Sequence, residues 1–433
     1  MKCSRVIPIG EKLRMLREKY NLNQDEIVGT AVTRNLISQI ENGKANLTKN
    51  TAEIIVSNVK EILKKNNMIL DIGIEYLLED EESQARKILD EFIEKLRMLM
   101  KNKDTSFIST LEDAEKFILR WDFIDEKIII YDLAGDYFYN NNNFSKASVY
   151  YEIVKRLINV NMYMIPLIPV LIKLSKTYFY MGKYQEGIDV CNYAMDRFQE
   201  MDSYSKTIFL FNICLYFNYL KDYEKALEFI DKLEPIMDTK IKDISLKTLL
   251  LKASCFYHLN RYDEAIQTYE NLLTHTPDYD YGNRAIYYNN LSEIYMDMNV
   301  LDTSNKYLSM ALKSIPNISN DFNMLPQMHL DIAKRYIKLK NITNAITYLK
   351  KSLNLAKSFN YTFVINDVLM ETVHIPKEEI DIDIKEEFKQ LVFNSGIVSN
   401  ILLVNILQYF STFNDTKAVT EICAYCGDYL KNN

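Results

Sequence analysis

An aromatic residue followed nine positions later by a small residue recurs through most of this chain, and this internal period constrains the fold more than any other feature. The six pairs are Phe138/Ala147, Tyr178/Gly187, Phe217/Ala226, Phe256/Ala265, Tyr295/Ser304 and Tyr336/Ala345. Successive pairs are 40, 39, 39, 39 and 41 residues apart. This period predicts a stack of two-helix hairpins, in which the large residue of each first helix packs against the small residue of the second.

Two segments of this period, residues 180–188 and 259–266, resemble the hairpin turns of tetratricopeptide repeats. Because the steps exceed the usual length of about 34 residues, we expect longer helices than in the consensus repeat. Outlying copies extend the array at Tyr76/Ala85 and Tyr409/Ala418. Residues 87–130 and 355–400 have a helical pattern without the signature, and they are either degenerate repeats or the linker and cap that such arrays need.

The composition favours an entirely helical chain. Gly (10) and Pro (8) are scarce among the 433 residues, so there is little turn material for many short strands. We predict an all-α fold in which an N-terminal domain precedes a tetratricopeptide-like α-solenoid. The expected divisions are an N-terminal domain over 1–66, a helical linker and degenerate repeat over 67–125, repeats over 126–354, and degenerate repeats with capping helices over 355–433.

Residues 9–65 show four short helical patterns joined by short turns. Asn23, with Glu26 three residues later, forms a capping-box pattern at the start of the second helix. Thr33 is placed to cap the third helix, and Gly43 suits the left-handed position that follows it. The pattern predicts a compact bundle with a turn between its second and third helices.

The segments Asn-Gln-Asp-Glu-Ile (23–27) and Thr-Arg-Asn-Leu-Ile-Ser-Gln-Ile-Glu-Asn-Gly-Lys (33–44) resemble the helix-turn-helix of the Xre, Cro and phage-repressor family. The resemblance implies that the exposed side of the third helix enters the major groove of DNA. Arginine suits guanine, whereas asparagine and glutamine suit adenine, and flanking positions match family positions that hold phosphates. The candidate DNA-binding residues are Gln24, Thr33, Arg34, Asn35, Ser38, Gln39, Asn42 and Lys44. The alternative is a structural bundle whose polar face is only solvated.

Charge is distributed unevenly between this N-terminal segment and the rest. Residues 1–66 contain 12 Lys and Arg against 7 Asp and Glu, a balance of +5, so the remainder of the −7 total is −12. Polyanion binding, if the chain has any, is therefore expected at the N-terminal segment.

A solenoid of hairpins presents a concave face built mainly from its first helices, which suits an extended peptide. Asn212 and Asn290 lie five residues before a repeat aromatic, a position that faces the groove in tetratricopeptide folds, and they are two repeats apart. An amide both donates and accepts, so the pair can clamp a peptide backbone. The candidate peptide-binding residues are Lys173, Asn212, Lys247, Asn289, Asn290, Glu293 and Asp331, with Lys176 as a further charged contact. The alternative is that these are ordinary solvated positions.

A helix-turn-helix followed by long tetratricopeptide repeats resembles the RRNPP group (Rgg, Rap, NprR, PlcR and PrgX) of peptide-sensing regulators. The resemblance implies a homodimer that binds an inverted-repeat operator in double-stranded DNA and a short signalling oligopeptide. The Asn- and Lys-rich composition fits a clostridial member, which implies control of sporulation, toxin or other stationary-phase genes. Two alternatives stay open: a repeat protein that sequesters or dephosphorylates a response regulator, and a phage or plasmid repressor whose repeats only dimerise.

Several classes of function lack their sequence signals. The chain has no signal peptide pattern and no apolar run long enough for a membrane span, so a cytoplasmic location without membrane contact is expected. It has no nucleotide-binding, hydrolase or zinc-protease motif, and we expect neither an enzyme nor a cofactor. Cys423 and Cys426 form one CxxC pair without a second pair, so buried thiols are favoured over a metal site.

Overall fold

The computed structural model describes residues 5–29, 32–161, 167–237, 242–395 and 399–432. Every regular element in those ranges is a helix, which confirms the all-α prediction. The chain divides into two compact units, residues 1–133 and 134–433, and each is described by itself. The division into four segments expected from the sequence stays a prediction.

The first unit contains seven complete helices. They are α1 (Ile9–Lys19), α2 (Gln24–Val28), α3 (Arg34–Glu41), α4 (Lys49–Lys65), α5 (Ile74–Leu78), α6 (Glu81–Lys101) and α7 (Phe107–Ile118). An eighth helix, α8 (Ile124–Asn140), crosses the boundary between the units. Fully buried apolar side chains from α1 to α4 form one core, which includes Leu13, Ile27, Ile37, Ile55 and Val59.

The caps expected from the sequence are present. The Asn23 side chain accepts from the Glu26 amide, and the Glu26 carboxylate accepts from the Asn23 amide, so both halves of the capping box form. The Thr33 hydroxyl accepts from the Leu36 amide at the start of α3. Gly43 has φ of 68°, the left-handed conformation predicted for it.

Gly10 allows α1 to approach the end of α3 closely. A Cβ atom at this position would lie 2.2 Å from the Ile40 carbonyl oxygen, closer than any real contact. Any larger residue would therefore displace α3 relative to α1, and α3 is the helix expected to meet DNA.

Lys12 of α1 is buried against the end of α5. Its Nζ donates to the carbonyl oxygens of Tyr76 and Glu79, at 2.8 Å each, and lies 3.5 Å from a Glu79 carboxylate oxygen. Burial lowers the pKa of Lys12, and the Glu79 charge opposes that effect. A cation at the carbonyl end of a helix is favourable, so this contact ties the four-helix bundle to the helices that follow it.

The second unit continues the array of hairpins. Its helices are α9 (Phe144–Asn161), α10 (Leu167–Tyr180), α11 (Tyr184–Arg197), α12 (Ser203–Tyr219), α13 (Tyr223–Leu233), α14 (Lys242–His258), α15 (Tyr262–His275), α16 (Tyr281–Asp297), α17 (Leu301–Ser314), α18 (Leu325–Lys338), α19 (Ile342–Phe359), α20 (Thr362–Thr372), α21 (Ile384–Ser395), α22 (Asn400–Thr412) and α23 (Thr416–Asn432). The first helices of the six repeats are the even-numbered ones from α8 to α18.

The repeat aromatic stacks on a second ring rather than on the small residue. Four repeats place a ring of the second helix 5.5 to 5.7 Å from the aromatic, in the pairs Phe138/Tyr150, Phe217/Phe229, Tyr295/Tyr307 and Tyr336/Tyr348. In the fifth repeat, the small residue instead meets another small residue: the Ser304 hydroxyl donates to the Ser292 carbonyl at 2.7 Å. This refines the packing expected from the sequence, because close approach requires small residues on both helices.

Each hairpin turn contains one residue in the left-handed conformation. These residues follow the same register as the aromatics and are Asn142, Gly182, Lys221, Asn260, Asn299 and Lys340, with φ between 56° and 69°. Glycine and asparagine tolerate this conformation, whereas lysine does so at a cost.

Residues far apart in the sequence meet within the second unit. The Asn360 side-chain amide donates to the Asn142 carbonyl at 2.6 Å. The rings of Tyr180 and Tyr361 stack at 5.6 Å, and those of Phe179 and Phe363 lie 6.1 Å apart. We call these contacts the seam, since they join the first repeats to the residues after the last one.

Lys340→Gly should stabilise the protein by about 1 kcal/mol, because glycine adopts the left-handed conformation without the strain of a Cβ atom. Chemical denaturation of the full chain measures this change. Asn299→Gly, at the same turn position, is the matched control and should give a smaller gain. Equal gains for the two variants would contradict the strain argument.

Candidate functional site

The third helix presents a polar face opposite its buried side. Ile37 and Ile40 are buried in the bundle core, whereas Arg34, Asn35 and Gln39 are exposed. Because helical neighbours lie three or four residues apart, the exposed groups form one continuous strip. The structure therefore brings together the guanidinium and amide groups that the sequence proposed for base recognition.

Two ends of this strip are held by local contacts. Arg34 lies 3.3 Å from Asp25 in an ion pair whose side chains are both more than 60% exposed (67% and 63%). Exposed pairs of this kind contribute little free energy, so the arginine can exchange its partner at small cost. At the other end, the Asn42 amide donates to the Ser38 carbonyl at 2.7 Å, which keeps both residues in one geometry.

The remaining candidates have different surroundings. Thr33 is the cap of α3, and its hydroxyl is engaged with the helix. Lys44 is exposed beyond the end of α3. Gln24, expected at a phosphate, donates its amide to the Glu41 carboxylate at 2.9 Å. Its contact with DNA stays a prediction, and in this structure its side chain joins α2 to α3.

Glu41 is a buried acid that the sequence reading did not single out. Its oxygens accept from Arg17 Nε at 2.9 Å and Arg17 Nη2 at 3.2 Å, in addition to Gln24. Burial alone raises the pKa of Glu41, but the hydrogen bonds from Arg17 and Gln24 outweigh it and lower the pKa overall. This network fixes the end of α3 against α1 and α2. The sequence signal that could have identified Glu41 is its position directly after the apolar Ile40.

In the second unit, several proposed peptide contacts are engaged within the fold. Asn212 is buried and donates to the Ser175 hydroxyl at 3.0 Å. Asn290 donates to the Tyr269 hydroxyl at 3.0 Å, and Lys173 pairs with Asp136 at 2.9 Å. The partners of Asn212 and Lys173 lie 37 residues away, on the preceding first helix, and the partner of Asn290 lies 21 residues away, on α15. The proposed asparagine clamp stays a prediction, and its donors must leave these partners to hold a peptide.

The other proposed contacts are distributed along the groove. Asn289 is 1% exposed, whereas Lys247 is exposed and Glu293 and Asp331 are half-buried. Lys176 is exposed over part of its surface, but desolvation of its ammonium, with the nearby Lys247 charge as the second cause, lowers its pKa.

A cluster of charges surrounds Asp331 on α18. Glu293 of α16 lies 3.7 Å from Arg335 and 3.6 Å from Lys338. Burial raises the pKa of Asp331 to about 6; the Lys334 charge opposes the rise and the Glu293 charge adds to it. The sequence reading missed Lys334 and Arg335. The sequence signal that could have identified this cluster is its position in the repeat, because Glu293 and Lys334 each lie two residues before a repeat aromatic.

Comparisons with known families agree with this architecture. Residues 10–70 match a family model described as a helix-turn-helix domain. Residues 247–279 and 326–359 match two models described as tetratricopeptide repeats. The chain thus combines a helix-turn-helix domain with tetratricopeptide repeats. No curated protein matches the sequence.

Solved structures with similar chains include three complexes. A Rap protein complexed with competence and sporulation factor is 14% identical, with 88% of this chain and 93% of that chain covered and a TM-score of 0.46. The Rap conjugation gene regulator of plasmid pLS20 with the Phr* peptide is 11% identical, with 90% and 95% covered and a TM-score of 0.46. NprR with its cognate peptide NprX is 18% identical, with 87% and 94% covered and a TM-score of 0.43.

Two other kinds of site are absent from the described residues. None of the helices in those ranges has the length and apolar character needed to cross a bilayer. The same part of the chain contains no group of three or more His, Cys, Asp or Glu side chains arranged to hold a metal ion.

Glu41→Gln should destabilise the helix-turn-helix by about 2 kcal/mol at pH 7, because it removes charge-assisted hydrogen bonds. The folded pKa of Glu41 is lowered, so the carboxylate stabilises the fold above its unfolded pKa and ceases to do so as pH falls through the folded pKa. The difference in melting temperature between the variant and the unmodified protein should therefore be smaller at pH 3.5 than at pH 7. A pH-independent difference would contradict this account.

Asp331→Asn should stabilise the protein at neutral pH, whereas Glu41→Gln destabilises it. The folded pKa is raised to about 6, so the ionised carboxylate costs free energy above that pH, and the cost disappears below its unfolded pKa. We expect a higher melting temperature for the variant at pH 7.5 and no difference near pH 3.5. Asp302→Asn, at an exposed position of α17, is the control and should change neither value.

Proposed function

We propose that this protein is a cytoplasmic, homodimeric transcriptional regulator whose repeats bind a short signalling peptide and thereby change operator binding. The observation that carries the proposal is the exposed amide and guanidinium strip of α3 within a helix-turn-helix domain, in the same chain as tetratricopeptide repeats. The targets we propose are sporulation, toxin or other stationary-phase genes.

DNA recognition follows from the position of α3. With its first turn directed into the major groove, Arg34 and Asn35 meet base edges, and Gln39 follows one turn later. Lys44, beyond the end of the helix, is placed for a phosphate. The +5 balance of residues 1–66 supports the attraction of this segment to DNA.

Peptide recognition is assigned to the concave groove, the face lined by the first helices of the second unit. Half-buried carboxylates, exposed lysines and asparagine amides on these helices offer both donors and acceptors to an extended backbone. Some of these amides already form hydrogen bonds within the fold. A peptide that binds them must therefore replace those hydrogen bonds with its own.

The coupling we propose is geometric. Two helix-turn-helix domains of a dimer must meet major grooves separated by one or more helical turns of DNA. A peptide that stabilises one curvature of the repeats changes the distance between the two domains, and operator affinity changes with it. The ligand shifts the equilibrium only by its difference in affinity for the two curvatures.

Gln39→Ala should weaken binding to the protein's own promoter fragment by about 1 to 3 kcal/mol, because a bidentate contact to adenine is lost. Electrophoretic mobility shift with the purified protein measures the affinity. Gln185→Ala, an exposed glutamine of α11, is the matched control and should bind as the unmodified protein does. Unchanged affinity of the Gln39→Ala variant would show that Gln39 does not contribute to base recognition.

The same assay tests peptide control. Synthetic peptides from short reading frames beside the gene should change promoter affinity in the full chain. If removal of residues 1–66 leaves the cellular phenotype intact, the repeats act on a partner protein and the DNA-binding proposal fails.

A further inference from the structure

A carboxylate lies beside the polar strip of α3, at the end of the strip that is expected to meet base edges. Asp25 is in the first turn of α2, and its Oδ2 atom is 3.3 Å from Nη1 of Arg34, the first residue of α3. The pair therefore joins the two helices on either side of the turn. A negative charge at this place repels the phosphates of any DNA that approaches α3.

The start of α2 is capped without the Asp25 carboxylate. The capping box is formed by Asn23 and Glu26, and the Asp25 side chain takes no part in it. Glu26 also supplies an acid to the first turn, where a negative charge interacts favourably with the helix dipole. Asp25 is exposed, and within the described ranges its ion partner is Arg34. The contact with Arg34 is therefore the property of Asp25 that bears on DNA binding.

Bases and phosphates differ in what they require of Arg34. Guanine presents its O6 and N7 acceptors side by side, and a guanidinium binds both in a fixed geometry. Phosphates lie along both strands and attract any cation, whatever the base sequence. Because a guanidinium has five N–H donors, Arg34 can keep its ion pair with Asp25 and present other donors to a guanine. A phosphate is attracted less strongly, since the Asp25 charge offsets that of Arg34.

We propose that Asp25 is a specificity-determining residue of the DNA-binding surface. It orients the Arg34 guanidinium toward a guanine base and weakens the binding of the same group to phosphates. This inference rests on the proposed DNA-binding function and names a residue that separates the operator from other DNA. Because the pair is exposed, its effect is moderate, and we expect it to contribute about fivefold to the ratio of operator affinity to nonspecific affinity.

The test measures the affinity of the purified full-length protein for its own promoter fragment and for a shuffled duplex of the same length and base composition. Fluorescence anisotropy at a series of KCl concentrations gives both affinities and their dependence on salt. Asp25→Asn should raise the affinity for the shuffled duplex and lower the promoter-to-shuffled ratio about fivefold. The slope of log K against log [KCl] for the shuffled duplex should become steeper by about 0.9, because one phosphate contact is added.

Three further variants separate this role from a general effect of charge. Asp25→Glu keeps the carboxylate and should retain most of the ratio. Glu61→Gln removes one negative charge from an exposed position of α4 and should change neither the ratio nor the slope. In a protein that already carries Arg34→Ala, the addition of Asp25→Asn should leave the ratio unchanged, because Asp25 acts through Arg34.

The outcomes distinguish this inference from the proposed function. If the unmodified protein prefers its promoter and Asp25→Asn has the same ratio and salt slope, Asp25 has no part in specificity, although DNA binding stands. An equal fall in the ratio with and without Arg34 would also overturn the inference. If the affinity for both duplexes falls together with the melting temperature, Asp25 only stabilises α2 and the inference is wrong. If the unmodified protein binds both duplexes equally, the proposed function fails as well.

Discussion

Close contact between the two helices of each hairpin is the constraint on which the second unit depends. A row of buried small residues lies three positions before the repeat aromatics, and in the fifth repeat the small residue of the second helix, Ser304, meets Ser292 of this row. The rings then stack beside this contact, one turn along each helix. A left-handed residue closes every hairpin at the same register. Together these three features set the angle between helices, and the angle sets which side chains reach the groove.

In the first unit, buried charges add to the apolar core and to the close approach at Gly10. Glu41 joins α3 to α1 and α2 through Arg17 and Gln24, while Lys12 joins α1 to the carbonyl end of α5. Glu41 and Lys12 are buried, so removal of a partner leaves either of them without full compensation. The exposed strip of α3 is thus presented by a rigid frame, and its own residues are free to serve recognition instead of stability.

The sequence predicts the fold well because its signals are local or periodic. The capping box at Asn23 and the cap at Thr33 involve residues three apart, and the repeat spacing is visible by direct comparison. The polar contacts of the groove are different. Asn212 meets Ser175 across 37 positions, a pairing that depends on how adjacent hairpins are rotated. Register alone places Asn212 on a first helix but does not determine whether its amide is open or engaged.

The seam determines what a ligand must do to change the curvature of the repeats. Its stacked rings contribute about 0.5 to 1.5 kcal/mol per pair, and its hydrogen bond from Asn360 to the Asn142 carbonyl contributes about 1 kcal/mol more. The sum is a few kcal/mol, which is within the binding free energy of a peptide of micromolar affinity. Because the seam joins residues 218 positions apart, a change in the angles between successive hairpins must either preserve these contacts or break them.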